Sequence, residues 1–307
     1  MRPLAPFSLA LVALFSPLAQ ARAEGVVERV ARTGTLVLAG SATTPPLLSL
    51  DRQGQLQGYG VEVARRIAAE LSTAVGRPVS LRFEALADAA TLGQRLAGGQ
   101  VDLACGVPFS WERDMMVDYS LPIALSGLRL VAPVGRFDGA PAALAGRSIG
   151  VLKDSLAETE LKGMQPAAKA VGFASLSAAV AALRAGQVDG VIGDTLLLAS
   201  LVRGSGAKGL ALTPEEPYER YAVACVLPEN DSAFRHLANL AIARLLQGYQ
   251  DGEPQAVAAV NRWVGPGSDL GLPEVLIRAY FETVLLGVEA IRPLPSGAAN
   301  PTPAAGS

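Results

Sequence analysis

The sequence has a single histidine, His236, and only two cysteines in 307 residues. A lone histidine argues against a histidine-based metal site and against a catalytic triad. We predict no metal, no cofactor and no catalytic residue in this chain. Aromatic residues are also scarce, at 5%, whereas hydrophobic residues make up 50% of the chain. This balance indicates a sizeable core that is built from Ala, Val and Leu.

The chain also lacks an excess of positive charge. Lys and Arg together number 26 and Asp and Glu number 28, which gives a net charge of −2. Proteins that bind nucleic acid present a basic surface to the phosphate backbone, so we predict no nucleic-acid partner. The length suits two domains of ordinary size or one large domain.

The N-terminal residues have the pattern of a signal peptide. Arg2 gives a positive start, residues 7–18 are apolar, and Ala21-Arg22-Ala23 is an A-x-A cleavage site. The apolar stretch is short and is broken by Pro17, which argues against a retained membrane anchor, the alternative interpretation. We predict cleavage after Ala23 and a periplasmic or secreted protein without stable membrane insertion after signal removal.

Short strand patterns alternate with amphipathic helical patterns in two successive blocks. Strands are predicted over 35–39, 78–83, 101–104, 148–152, 170–173 and 188–192. Helices are predicted over 60–71, 89–96, 156–164, 176–185 and 195–202. The βαβαβ order predicts an α/β fold with parallel sheets and helices on their faces.

One short pattern occurs once in each block. Residues 96–106 read LAGGQVDLACG and residues 183–193 read LRAGQVDGVIG. Both pass from a helix end through glycine and Gln-Val-Asp into a buried strand, with Asp102 and Asp189 at equivalent places. The repeat indicates two similar lobes. The alternative is that any helix-to-strand turn uses glycine in this way.

Two extended segments, GLRLVAP at 127–133 and YAVACVLP at 221–228, separate the blocks. If the chain returns late to its first lobe, these segments are paired crossovers and form a hinge. The predicted division is a signal peptide at 1–23, lobe one at 24–130 and 221–292, lobe two at 131–220, and a disordered tail at 293–307.

Three helices are predicted in the C-terminal region, over 232–246, 255–263 and 273–291. The last of them is apolar around most of its circumference. We expect it to pack on a lobe, and an interface with a partner is the alternative.

The order of these segments resembles that of the family 3 solute-binding proteins, the amino-acid-binding components of ABC importers. The resemblance is strongest in WERDMMVDYSLP at 111–122, and it also includes GTLVLAG at 34–40 and LAGRSIGVLKDS at 144–155. It implies two Rossmann-like lobes joined by a two-strand hinge, the periplasmic binding protein type II fold. It also implies a monomer that clamps a small-molecule ligand for a permease.

The resemblance assigns three residues to the ligand. Arg113 would bind the α-carboxylate, for which a planar, permanently charged guanidinium is well suited. Asp194 would bind the α-amino group. Ser155, at the start of a predicted helix, would help to hold the carboxylate. The alternatives are a solvated arginine in a turn and a serine that only caps its helix.

The sequence departs from the family where aromatic residues usually enclose the ligand side chain. Thr44 and Ala89 occupy those two positions, and we keep Thr44 among the predicted ligand contacts. Trp111 or Phe109 could supply a replacement aromatic ring, or either could pack against the lobe.

Further departures concern the loops. Backbone groups of Gly106 are predicted to contact the ligand, and so is Ser110, while Asp154 stands where the family usually has glycine. Together, these departures from the family pattern argue against an ordinary free amino acid as ligand.

The two cysteines, Cys105 and Cys225, are a candidate disulfide in an oxidising compartment, and two buried thiols are the alternative. In the family fold the strand before the Arg113 loop lies close to the strand that returns through the hinge. The resemblance therefore implies a bridge inside lobe one that leaves the hinge free.

The predicted function is binding of an anionic or zwitterionic, amino-acid-like ligand for ABC-type uptake. One alternative is an orphan member of the family without a permease, acting as a scaffold, a sensor or the partner of a peptide cassette. That subgroup, found beside glycine-rich peptide and radical-SAM genes, is similar in ACVLPENDSAF at 224–234. The other is a dehydratase-type enzyme, for which Asp154, Glu112 and Asp194 are the candidate acids or bases.

Overall fold

The computed structural model describes residues 24–86, 89–204 and 209–287, so the predicted signal peptide and tail lie outside the described residues. Its strands are β1 (Thr35–Gly40), β2 (Thr43–Thr44), β3 (Leu48–Leu50), β4 (Leu56–Gln57), β5 (Ser80–Ala85), β6 (Ala104–Pro108), β7 (Asp118–Tyr119), β8 (Ala124–Pro133), β9 (Ser148–Leu152), β10 (Lys169–Phe173), β11 (Gly190–Asp194), β12 (Leu210–Thr213) and β13 (Glu219–Leu227). Its α-helices are α1 (Val26–Thr33), α2 (Tyr59–Val75), α3 (Leu92–Ala97), α4 (Trp111–Asp114), α5 (Leu156–Met164), α6 (Leu176–Arg184), α7 (Thr195–Gly204), α8 (Ser232–Gln250), α9 (Pro254–Asn261) and α10 (Glu274–Leu286).

The first group of elements, lobe one, is built around the parallel pair β1 and β5. Leu38 of β1 makes a parallel bridge to Leu103, just before β6. Helix α2 buries Val63, Ile67 and Leu71, which share one face because they are four residues apart. Helix α8 packs against α2, and α10 packs against α8, so the C-terminal helices return to lobe one.

The second group, lobe two, has β9 at its centre. Strands β10 and β11 flank β9 and run parallel to it. Helices α5, α6 and α7 pack against these strands. Strand β8 continues the sheet in the antiparallel direction, and β12 pairs with its far end.

Two long strands, β8 and β13, run from one lobe to the other, and we call them the crossing strands. They pair antiparallel from Ala124 opposite Val223 to Leu128 opposite Glu219. Strand β8 then pairs with β11 of lobe two, and β13 pairs with β6 of lobe one. The extended segments that the sequence predicts as crossovers therefore lie side by side.

The Gln-Val-Asp turns have equivalent places in the two lobes. Asp102 Oδ2 accepts a hydrogen bond of 2.7 Å from the Val37 N–H, and Oδ1 pairs with Arg29. Asp189 Oδ2 accepts one of 3.0 Å from the Ser148 N–H, and Oδ1 lies 2.5 Å from Arg136 Nη2. Each aspartate thus ties its turn to the first strand of its own lobe.

Several predicted elements are displaced, and the strands predicted over 78–83 and 188–192 both lie two residues later, as β5 and β11. The strand predicted over 101–104 begins three residues and ends four residues too early, because the ladder of β6 runs from Ala104 to Pro108. Its partner is β13, which lies more than a hundred residues away, and the burial of Val101 alone does not reveal that register. The helix predicted over 89–96 begins as a 3₁₀ turn, and α3 starts only at Leu92.

Several short elements were not predicted, namely α1, α4, β7, β12 and the three-stranded sheet of β2, β3 and β4. The helix predicted over 273–291 is described from Glu274 to Leu286. Among the described helices, none has both the length and the apolar character that a membrane span requires.

Candidate functional site

A cleft of about 350 Å³ lies where the two lobes and a crossing strand meet. Its walls come from the start of α4 and the preceding loop, from the first turn of α5, and from the beginning of β13. The lining residues are Phe109, Ser110, Trp111, Glu112, Leu156, Glu219, Arg220, Tyr221 and Ala222. This volume is enough for one small molecule.

The disulfide between Cys105 and Cys225 fixes the wall of the cleft that lobe one contributes. The two residues lie opposite each other on β6 and β13, with their Cα atoms 3.9 Å apart. The same strand pairing continues to the cleft, where the Phe109 N–H donates to the Ala222 carbonyl at 2.9 Å. The predicted bridge is confirmed, and its strands both belong to the lobe-one end of the sheet.

Arg113 is half-buried on α4, beside the lining residue Glu112. Ser110 caps this single turn by accepting from the Arg113 N–H at 3.3 Å. Arg113 Nη1 donates to the Pro108 carbonyl at 2.8 Å and to the Tyr119 hydroxyl at 3.1 Å. Within 24–86, 89–204 and 209–287, no carboxylate is in ion-pairing range of Arg113, and its Nε and Nη2 donate no hydrogen bond. The guanidinium is therefore held in place with donors to spare.

An aromatic group forms the wall of the cleft beside Arg113. The Phe109 ring packs edge-to-face on Trp111, with centroids 5.0 Å apart, and also contacts Tyr119 at 4.9 Å. Trp111 remains 75% exposed, so most of its indole surface is free for a further contact. Of the two predicted replacement aromatics, Phe109 packs within lobe one and Trp111 is open to solvent.

Asp194 ends β11, where it lies opposite Leu128 of the crossing strand β8, and it is buried. Its Oδ2 accepts from the Tyr221 hydroxyl at 2.7 Å, and its Oδ1 accepts from the Leu197 N–H at 3.0 Å. Burial raises the pKa of Asp194, and these hydrogen bonds oppose that rise. Burial and the neighbouring carboxylate also raise the pKa of Tyr221. The phenol therefore stays protonated and donates a hydrogen bond to Asp194.

Ser155 lies at the start of α5, directly before the lining residue Leu156. Its Oγ donates to the Leu152 carbonyl at 2.6 Å and accepts from the Glu158 N–H at 3.4 Å. Glu158 in turn accepts from the N–H of Asp154 at 2.9 Å. Ser155 thus caps the helix, and its contact with a ligand stays a prediction.

Glu158, in the first turn of α5, forms a salt bridge with Lys162 of the same helix. Lys162 lies 2.6 Å from Glu158. The hydrogen bonds from Lys162 and from the Asp154 N–H lower the pKa of Glu158. This helix N-terminus therefore already has a carboxylate of its own chain beside its free N–H groups.

The remaining predicted contacts have structural positions outside the cleft lining. Gly106 has a φ of 90°, and a Cβ atom there would come within 3.0 Å of the Leu47 side chain. Thr44 Oγ1 donates to the carbonyls of Ser41 and Leu48, at 3.0 and 3.3 Å. Of the predicted ligand contacts, Ser110 and Trp111 line the cleft itself, and so do Phe109, the other candidate aromatic, and Glu112, a candidate acid of the enzyme alternative.

The sequence interpretation missed the part of the cleft that β13 supplies. Glu219, Arg220 and Tyr221 line it, although only the segment from Tyr221 onward is predicted as extended. The signal that could have found them is the charged pair directly before this apolar strand. Leu156 was also missed, although it follows the predicted Ser155.

The model of the bacterial extracellular solute-binding proteins, family 3, matches residues 36–265. The L-cystine-binding protein TcyJ of Escherichia coli K12 is 26% identical over 245 residues, which are 79% of this chain and 87% of TcyJ.

Solved structures show the same architecture. The solute receptor for L-cysteine of Neisseria gonorrhoeae superposes with a TM-score of 0.67 at 21% identity, over 78% of this chain and 93% of the receptor. The ancestral amino acid-binding protein AncCDT-1, a precursor of cyclohexadienyl dehydratase, gives 0.66 at 17% identity, over 78% and 99%. At these identities the likeness establishes the fold, and it confirms the predicted class of two α/β lobes with a two-strand hinge.

Proposed function

Because this chain belongs to the bacterial extracellular solute-binding proteins of family 3, we propose that it binds a small anionic or zwitterionic, amino-acid-like solute between its lobes. In this proposal it acts as a monomer outside the cytoplasm and delivers the solute to an ABC permease. The lobes would divide at the predicted boundaries, with 24–130 and 221–292 moving against 131–220.

The observation that carries the proposal is the position of the cleft. Residues 109–112 of lobe one, residues 219–222 of a crossing strand and Leu156 of lobe two all line it. A molecule in this cleft touches both lobes and the strand that joins them. Contacts that form only when the lobes approach would favour the closed arrangement.

Arg113 is proposed to bind the ligand carboxylate. Its Nη1 is anchored by Pro108 and Tyr119, while its Nε and Nη2 donate to no described residue. A carboxylate can accept two parallel hydrogen bonds from one edge of a guanidinium. Such a contact supplies the missing counter-charge.

Asp194 and Ser155 are proposed to complete the contacts on the side of lobe two. Both lie directly beside a lining residue, Asp194 through its hydrogen bond to Tyr221 and Ser155 through the next residue, Leu156. Contact of Asp194 with an ammonium group requires Tyr221 to move or to share the carboxylate.

The test is a calorimetric and thermal-shift screen of the purified protein against L-cystine, L-cysteine, L-arginine, L-glutamate and simple carboxylates. Ligand at a hundredfold excess over its Kd stabilises the native state by roughly 2.7 kcal/mol. We expect Arg113→Ala to abolish this shift and Arg113→Lys to retain part of it, because the charge remains and the planar fork is lost. Arg52→Ala, which removes an exposed arginine elsewhere in lobe one, is the matched control.

Two results would contradict the proposal. Equal ligand affinity of Arg113→Ala and the native protein would overturn the assignment of Arg113. A well-folded protein with no ligand in the screen would favour the orphan alternative, in which the chain serves as a scaffold or sensor. The dehydratase alternative is tested by turnover of prephenate or arogenate, and we expect none.

A further inference from the structure

The charges that line the cleft are unbalanced. Glu112 and Glu219 both line it, and in the described part of the chain neither belongs to an ion pair. Arg220 is the cation among the lining residues, and it is already paired with Glu216, four residues before it. The cleft therefore presents two carboxylates without a counter-charge.

The apolar part of the lining lies beside these carboxylates. Trp111 is adjacent to Glu112 in sequence, its indole is largely exposed, and its ring packs edge-to-face with that of Phe109. Leu156 faces the cleft from lobe two. Indole faces next to carboxylates attract ammonium and guanidinium groups through both the ring quadrupole and the charge.

The crossing strands add acceptors to this lining. Tyr221 lines the cleft and donates its hydroxyl hydrogen to Asp194, so its oxygen can only accept further hydrogen bonds. Ser126, the register partner of Tyr221, has its side chain on the same face of the sheet. The Ser126 hydroxyl is buried close to Asp194 and Tyr221, and it lowers the pKa of both groups.

We infer that the ligand carries, in addition to its carboxylate, a positively charged group on an apolar stem, and that Glu112, Glu219 and the Trp111 ring bind this group. The inference rests on the proposed function and narrows its ligand class to basic amino-acid-like molecules. In this arrangement the carboxylate reaches Arg113 and the stem lies against Trp111 and Leu156. The cation supplies a counter-charge to the two carboxylates.

The experiment compares cationic ligands with neutral ones of the same shape. L-arginine is paired with L-citrulline, and L-lysine with L-norleucine, in calorimetric titrations of the purified protein. We expect the cationic member of at least one pair to bind about tenfold more tightly, which corresponds to one strong charge-assisted contact. Glu219→Gln and Glu112→Gln should each remove most of this preference. Glu229→Gln, an exposed position at the other end of β13, is the control.

The outcomes separate this inference from the proposed function. One outcome is equal affinity within both pairs, or binding of L-glutamate alone, together with loss of binding in Arg113→Ala. It would overturn the inference that the ligand carries a cationic group, and it would leave the proposed binding function standing. A preference for the cation that Glu219→Gln and Glu112→Gln leave unchanged would overturn the assigned residues. No binding by any of these amino acids would overturn both.

Discussion

The two Gln-Val-Asp turns have the same sequence and the same hydrogen bond to a neighbouring strand, but they lie in different surroundings. The Asp102 side chain is 1% exposed and that of its partner Arg29 is 19% exposed. In lobe two the corresponding values are 25% for Asp189 and 46% for Arg136. One local motif therefore acts as a buried ion pair in one lobe and as a surface contact in the other.

The difference extends to the other cross-links of the lobes. Lobe one also contains the Cys105–Cys225 disulfide, and among the described residues lobe two has no cysteine. The strand after Asp102 leads to the Arg113 loop, and the strand after Asp189 leads to Asp194. We infer that lobe one is the stable half, which holds the first ligand contact in place before lobe two closes on it.

The largest expected effect is the loss of the disulfide. The double variant Cys105→Ala and Cys225→Ala should lower the free energy of unfolding by about 4 kcal/mol, because the bridge closes a loop of 120 residues. Urea unfolding of the oxidised native protein and the variant measures this difference. Treatment of the native protein with a reductant under unfolding conditions is the control and should give the same loss. A change below about 1 kcal/mol would contradict the special stability of lobe one.

Asp102→Ala should have the next largest effect and lower the free energy of unfolding by about 3 kcal/mol. Removal of one partner from a buried ion pair leaves an uncompensated charge, and the value falls at the low end because Arg29 is partly exposed. The Val37 N–H also loses its acceptor. A double-mutant cycle with Arg29→Ala isolates the pair from the lost hydrogen bond. If the cycle shows no coupling between the two residues, the buried pair does not account for the difference between the lobes.

Local signals account for much of the fold. Helix α5 has the predicted bounds, Leu156–Met164, because a serine cap and a short apolar repeat both define it. The crossing strands were also predicted, because their mainly apolar segments with valine are typical of extended, buried chain. Strand β6 and the small sheet of β2, β3 and β4 were misplaced or missed, because their hydrogen bonds depend on partners that no local pattern identifies.

The cleft was less predictable than the fold. Ser110 and Trp111 belong to a distinctive loop and were found, whereas Glu219 and Tyr221 were not. Which residues of β13 face the cleft depends on its register with two neighbours. That register shifts between Ala224 and Cys225, as an irregularity that sequence spacing does not reveal.

Asp189→Ala should lower the free energy of unfolding by only about 1 kcal/mol, although Asp189 has the same hydrogen-bond pattern as Asp102. Its pair with Arg136 is partly exposed and contributes little, so the loss is mainly that of the hydrogen bond from the Ser148 N–H. Urea unfolding in parallel with Asp102→Ala gives the ratio of the two effects. Equal costs at the two positions would show that burial does not distinguish the turns.

The smallest effect concerns pH. The hydrogen bond from the Ser148 N–H, together with Arg136, holds the pKa of Asp189 below its ordinary value of 3.8. The unfolded chain therefore binds a proton more readily than the native chain. The contribution of Asp189 to stability is complete above pH 3.8 and is lost as the pH falls through the lower, native pKa.

The free energy of unfolding of the native protein minus that of Asp189→Asn should therefore stay constant near neutral pH and decrease toward acid. We expect a change of less than about 1 kcal/mol, because the group is partly exposed to solvent. Urea unfolding at a series of pH values measures it. Arg136→Ala should move the decrease to higher pH without removing it, since the Ser148 N–H remains. A difference that grows toward acid would mean that the native lobe stabilises the protonated carboxyl, and lobe two would then differ from lobe one in more than burial.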